Sequence, residues 1–361
     1  MALMLAASWA LGIALAAVEA IPSTAILTGG DILATYMNCA QPGPTPGCQY
    51  HPYANTVTPG NTTMNMSRQL QLSSGAADGD KSAAAFDAGS GVLYFFQGAE
   101  ATMYRVDTVA HKVLAPVKLK KPDLTKVWYG IAAAYWDDTR AAVVAVARGS
   151  PHGMNQGGLV SINPSSGAIS HLDSGVDPNS QANGDLGKGG GLSAFGAGLL
   201  VFPLVSTWNF LHSFQAINIS TGVATRVKTT MDIVGLEYSD GSFWALGVDL
   251  LGGAGQSEPG QPLIAKLDPD SGAFTMVANL TELVGKNSPL HEGWGIMTGE
   301  SHWRAVSTFG RANGIMYFAC DPNLVGVSVR TGQVTTSSPL VHWADGTQDA
   351  EFVSAMQFLA H

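Results

Sequence analysis

Charge is scarce in this chain. Only 12% of its 361 residues are Asp, Glu, Lys or Arg, about half the usual share. Disordered proteins and helical bundles need more charge than this, so neither class fits. The formal net charge is −9, and no basic cluster exists beyond Lys118, Lys120 and Lys121. Nucleic acid is therefore excluded as a partner, because binding it takes a concentrated positive footprint. After the first twenty residues no apolar run is long enough to cross a bilayer. Cysteine is limited to three residues, and HExxH, GxSxG, GxxxxGK[ST] and CxxC are all missing.

What is present begins with a leader. Residues 2–20 form an apolar run ending Val18-Glu19-Ala20, a small-residue cleavage pattern. Residues 1–20 are expected to be a signal peptide, and 21–361 a single domain that is secreted and has no stable membrane insertion after cleavage. Four sequons suit that route: Asn61-Thr-Thr, Asn65-Met-Ser, Asn218-Ile-Ser and Asn279-Leu-Thr. Cys39 and Cys48 bracket the turn-rich loop CAQPGPTPGC, which an oxidising compartment would close into a disulfide. Cys320 ends the apolar strand GIMYFAC and is expected to be a buried, unpaired thiol.

Glycine is abundant, at 43 residues, and much of it sits in a repeat. Five segments share one grammar of alternation, turn and alternation: 103–119, 159–172, 214–227, 263–277 and 324–340. Four of the turns read Ser166-Gly167, Thr221-Gly222, Ser271-Gly272 and Thr331-Gly332, and the first copy lacks the glycine. Period-two alternation around glycine marks a β-hairpin. Before each of these hairpins stands a more apolar one, as in AAAFDAGSGVLYFFQG (83–98) and GIAAAYWDDTRAAVVAVA (130–147). Near-continuous apolar strands are covered on both faces. A buried inner hairpin plus a half-exposed outer one is a four-stranded propeller blade.

Matching positions Asp107, Asn163, Asn218, Asp268 and Val329 are 56, 55, 50 and 61 residues apart. A period of about 55 divides the mature chain into roughly six units, with five and seven as the alternatives. Residues 352–358 read as an innermost strand with nothing after it to pair with. The expected closure pairs this strand with one from 25–72, which removes two open sheet edges. The fold class is thus an all-β propeller, six blades favoured.

The blade order, followed by V-x-x-(D/N)-x-x-(S/T)-G-x-(V/A), resembles the quinoprotein-like propeller superfamily, which includes the bacterial surface-layer propellers. The resemblance covers residues 83–340 and rests on blade grammar. It implies a propeller, with seven blades usual among those relatives. No functional residue of that superfamily maps onto a motif here, and nothing points to a quinone cofactor.

Within a blade, the first-to-second and third-to-fourth connections are tight turns. The connections on the other face are long: 148–158, 173–190, 206–213, 249–261 and 281–304. Long loops on one rim of a rigid scaffold are where function concentrates. The catalytic candidates there are His302, Arg304, Glu351, His152 and His212, and the binding candidates are Asp80, Trp128, Lys188, Asp232, Trp294 and Asp349. Several stand just before inner strands, near the central axis. His152, His212 and His302 come from three different units and would suit a metal, and the acidic residues a divalent cation in the channel. The cofactor is otherwise unassigned. Two function classes follow. The favoured one is a secreted binding or scaffold propeller that takes a small molecule, glycan or protein on the long-loop face. The alternative is a secreted hydrolase, lactonase, cyclase or lyase using a His/acidic site there. Asp268-Pro269-Asp270-Ser271-Gly272 reads as a hairpin turn rather than a calcium loop, because the distal bidentate Glu is missing.

Overall fold

A computed structural model describes residues 32–39, 50–57, 70–72, 82–97, 101–120, 130–147, 158–172, 193–204, 213–250, 260–285, 288, 290, 307–311, 313–320, 323–339 and 352–358. In chain order the strands are β1 (Ile32–Cys39), β2 (Tyr50–Val57), β3 (Leu70–Gln71), β4 (Ser82–Asp87), β5 (Val92–Gln97), β6 (Thr102–Asp107), β7 (Lys112–Lys118), β8 (Ile131–Asp137), β9 (Ala142–Ala147), β10 (Gly158–Ile162), β11 (Ile169–His171) and β12 (Ala194–Gly196). The second half holds β13 (Leu199–Leu204), β14 (Ser213–Asn218), β15 (Ala224–Lys228), β16 (Met231–Ser239), β17 (Ser242–Asp249), β18 (Gln261–Leu267), β19 (Phe274–Asn279), the short helix α1 (Thr281–Val284), β20 (Ser307–Gly310), β21 (Ile315–Cys320), β22 (Asn323–Ser328), β23 (Val334–Pro339) and β24 (Phe352–Phe358).

These strands form four-stranded antiparallel sheets, the blades of an all-β propeller. Five sheets are built from consecutive strands: β4–β7, β8–β11, β12–β15, β16–β19 and β20–β23. A further four-stranded sheet has the order β24-β1-β2-β3, joining the two ends of the chain. The expected closure is therefore present: Phe352–Phe358 pairs antiparallel with Ile32–Cys39. Innermost strands touch their successors, with β4 against β8, β12 against β16, β16 against β20, β20 against β24 and β24 against β4. Between β8 and β12 the contact is a stack of Tyr135 on Phe195, ring centroids 3.7 Å apart.

One row of side chains repeats from blade to blade, just above the inner turns. It runs Phe86–Leu93–Val106–Val113, then Trp136–Val143–Ile162–Ile169, then Phe195–Leu200–Ile217–Ala224. It continues as Tyr238–Phe243–Leu267–Phe274 and Phe309–Met316–Val327–Val334. Every row begins with an aromatic residue on the innermost strand. The terminal sheet keeps the same register, with Phe358 opposite Ile32 and Ile32 opposite Val57. The aromatic rings fill the seams between blades: Tyr94 stacks on Trp136 at 5.2 Å, and Trp244 on Phe309 at 5.9 Å. At the seam before that one, Gly196 makes room for a ring, since a Cβ there would lie 2.0 Å from Tyr238. The buried apolar clusters follow the same plan, each combining residues of two neighbouring sheets. The hydrophobic effect thus holds the sheets side by side, not merely strand to strand.

The turns show why the grammar recurs. Most hairpins close through four residues, the last with positive φ. Gly91, Gly167, Gly222, Gly272, Gly314 and Gly332 fill that place, as do His111 and Ala141. The residue opening the turn caps it with its side chain. Asp87, Asp107, Asp137, Asn163 and Asn218 each accept two backbone N–H bonds through Oδ1. Asp268 accepts from the Asp270 N–H and the Ser271 hydroxyl, so this segment is a turn, as expected. In the last blade Ser328 holds the capping place, with Thr331 N donating to its Oγ. The sequence alignment on Val329 was therefore one residue out of register. A side chain at Gly167 or Gly272 would also strike the previous blade, 2.1 Å from Lys118 O and 1.9 Å from Lys228 O. Glycine at these two places serves both φ and close approach.

Candidate functional site

The inner strands begin at Ser82, Ile131, Ala194, Met231, Ser307 and Phe352, all on the side away from the tight turns. Several of the predicted site residues stand in sequence just before these starts. Glu351 immediately precedes β24, Arg304 and His302 precede β20, and Asp80 precedes β4. His302, Arg304, Glu351, His152, His212, Asp80, Trp128, Lys188, Trp294 and Asp349 themselves lie outside the described residues, as do Cys48, Asn61 and Asn65. Asp232 is described. It is the second residue of β16, half-buried, and pairs with Val248, which places it at the loop end of an inner strand as expected. Cys39 closes β1, and Cys320 is a buried thiol whose Sγ lies 3.6 Å from Leu290 O.

Sequence reasoning missed two residues. The first is Gln97, at the loop end of β5 opposite Ser82 and 1% exposed. Neither its Nε2 nor its Oε1 has a hydrogen-bond partner among the described residues. A buried amide left unpaired costs on the order of 1–3 kcal/mol, so such groups are ordinarily satisfied. Gln97 is therefore a buried polar group at the long-loop end of its strand, where a satisfied amide would be expected. A lone Gln at a strand end carries no sequence signal.

The second is Glu237, on inner strand β16 at the seam with the next blade. Its Oε1 accepts a hydrogen bond from Ser307 Oγ at 2.9 Å. Burial pushes its pKa up to about 8, only partly offset by that bond and by the Arg311 charge. A carboxyl neutral at pH 7 on an innermost strand can donate as well as accept a hydrogen bond. Its partner stands seventy residues away in sequence, which is why the pattern LEYSDG alone gave no sign of it.

Among the described residues, the tight-turn side carries a recess of about 390 Å³, lined by Tyr238, Phe243, Phe274, Pro269 and Lys266 among others. It opens where the β12–β13 connection shrinks to two residues, Ala197 and Gly198, both at positive φ. The β16–β17 turn is equally short, Asp240 and Gly241 both at positive φ, and Tyr238 and Phe274 of that blade stay partly exposed. Lys266 is held 5.0 Å over the Trp244 ring. No candidate residue from the sequence falls in this recess.

No protein family matches the chain, and no curated protein matches it. Solved structures do. A chain in the crystal structure of a nidogen/laminin complex is 11% identical with a TM-score of 0.50, over 91% of this chain and 98% of that one. TolB from Acinetobacter baumannii is 10% identical at a TM-score of 0.46, over 91% of this chain and 66% of that one. The calcium-binding protein regucalcin from Agrobacterium tumefaciens is 13% identical at 0.42, over 71% and 73%. The likeness is one of propeller fold. No family match supports membership of the quinoprotein-like or surface-layer superfamily.

Proposed function

We propose that this chain is a secreted, six-bladed binding propeller whose ligand site lies among the long loops around the central channel. Gln97 carries the reading: a buried amide without a partner among the described residues, on the side where the connections are long. The opposite side is occupied by turns whose side chains are committed to capping their own backbones. The blade count is supported by the terminal sheet, which repeats the row register and lies between β20 and β4. A structurally similar chain belongs to a nidogen/laminin complex, so a protein ligand is the first class to test. The loop residues His302, Arg304 and Glu351 contact that ligand, with Trp128, Lys188, Trp294 and Asp349 around them.

The test is capture of cross-linked partners from extracellular fluid by the purified mature chain, in parallel with a glycan array. His302→Ala and Glu351→Ala should each weaken binding at least tenfold and leave the Tm within about 2 °C, as expected of residues that serve binding rather than folding. Binding that survives both changes but is lost on Lys266→Glu would move the site to the tight-turn recess. Turnover of a small substrate by the same preparation would favour the enzyme reading. The Cys39–Cys48 disulfide belongs to the same proposal. Thiol labelling of unfolded, unreduced protein should find one cysteine, Cys320; finding three refutes the bridge.

A further inference from the structure

Two of the four sequons fall among the described residues, and they differ in setting. Asn218 ends β14 and is half-buried. Its Oδ1 accepts from Ser220 N (3.0 Å), Ser220 Oγ (2.7 Å) and Thr221 N (3.1 Å). Asp107, Asn163 and Asp268 cap the equivalent turns without heading a sequon. Turn chemistry therefore accounts for Asn218 and Ser220 in full.

Asn279 is different. It is the last residue of β19, and the sequon alternates: Asn279 exposed, Leu280 1% exposed, Thr281 exposed. Asn and Thr thus share the solvent side while Leu points inward. Asn279 Oδ1 accepts from Thr281 N at 2.9 Å, and its Nδ2 has no partner among the described residues.

The strand that carries it is also unusual. Each blade leaves one outermost strand with unpaired backbone groups, and such edges invite pairing with another chain. Elsewhere the edge is blunted: β7 has Lys112, Pro116 and Lys118, β15 has Arg226 and Lys228, and β23 ends in Pro339. β3 and β11 are only two and three residues long. β19, FTMVAN, has neither charge nor proline, and Met276 is 49% exposed. The next blade's turn covers its C-terminal end, beside Asn279, where a Cβ on Gly332 would lie 2.9 Å from Val277 O, and Thr275 and Met276 stay exposed beyond it.

We propose that Asn279 carries an N-linked glycan, which shields the uncharged edge of β19 from strand pairing. This rests on the secretory reading above. In the transfer, Asn279 Nδ2 bonds to the anomeric carbon of a lipid-pyrophosphate-linked oligosaccharide. The bond from that carbon to the pyrophosphate oxygen breaks, one proton leaves Nδ2, and the lipid pyrophosphate departs.

The experiment is secretion of the full chain from mammalian cells, with glycopeptide mass spectrometry after enzymatic release in heavy-oxygen water. Occupancy at Asn279 should exceed that at Asn218 at least fivefold. Asn279→Gln and Thr281→Ala, as well as enzymatic deglycosylation of the native protein, should each shift the monomer to larger species in size-exclusion chromatography. Adding Met276→Lys to Asn279→Gln should restore the monomer, because a charge replaces the glycan as the edge block. A bare Asn279 on a chain glycosylated elsewhere overturns the proposal and leaves secretion standing. A chain with no glycan that stays inside the cell overturns both. Occupied Asn279 with monomeric variants overturns the shielding role.

Discussion

Glu237 sits where one blade meets the next, and its ionisation couples that seam to pH. Its pKa is raised to about 8 in the folded protein, against an ordinary value of 4.5. Below about pH 4.5 the carboxyl is neutral in both folded and unfolded chains, and it costs nothing. As pH rises from there to about 8, the unfolded chain ionises while the folded one holds its proton, so stability falls. Glu237→Gln should remove this loss, keeping the acceptor for Ser307. Denaturant titrations should show the variant more stable than the parent at pH 8.5, by on the order of 5 kcal/mol, and nearly equal at pH 4. Equal curves across the range would mean that Glu237 is solvated. Asp80 and Asp232 drew notice in sequence because they stand near inner-strand starts; Glu237 has no such place, and only its bond to Ser307 across the seam sets it apart.

At the scale of the hairpin, local chemistry was readable because it is complete within a few residues. An Asp or Asn that caps, followed four residues later by a positive φ, suffices to close the turn. Asp137 is a stringent case. It is 6% exposed and accepts from Thr139 N at 2.9 Å, from Arg140 N at 3.2 Å and from the Arg140 guanidinium. Burial alone would raise its pKa, but the bonds from Arg140 and Thr139 outweigh it and hold the carboxyl below its ordinary value. Asp137→Ala should therefore cost about 1–3 kcal/mol at pH 7. The parent's advantage should shrink as pH falls below the ordinary Asp value, when the carboxyl protonates. An unchanged denaturation midpoint would show that the turn closes without its cap. The one-residue slip between Val329 and Ser328 has a physical origin too. Serine is a weaker cap than Asp or Asn and stands out less in a pattern.

The whole molecule depends on contacts between residues far apart in the chain. β24 pairs with β1 across more than three hundred positions, and its other neighbours are β20 and β4. Ending the chain before Phe352 should strip β1 of its partner and open the seam on both sides. The expected product is insoluble or unfolds without cooperativity, by scattering and thermal melting. A soluble, cooperatively melting truncation would show that the terminal sheet does not close the scaffold. A strand with no local partner must find a distant one, and that requirement made the pairing legible before the fold was known.

By itself the sequence determined the blade: apolar inner strands, alternating outer ones, capped turns and a period of about 55. These features are local, repeated and reinforced by each other, so one copy corrects the reading of the next. Tertiary structure decided which side chains meet across the seams. The Tyr135–Phe195 stack, the Tyr238 ring over Gly196 and the Glu237–Ser307 bond each depend on how two sheets lie together. Such meetings have no period and no spacing. They follow from close packing between surfaces, where a neighbour seventy residues away raises a carboxyl's pKa as readily as an adjacent one.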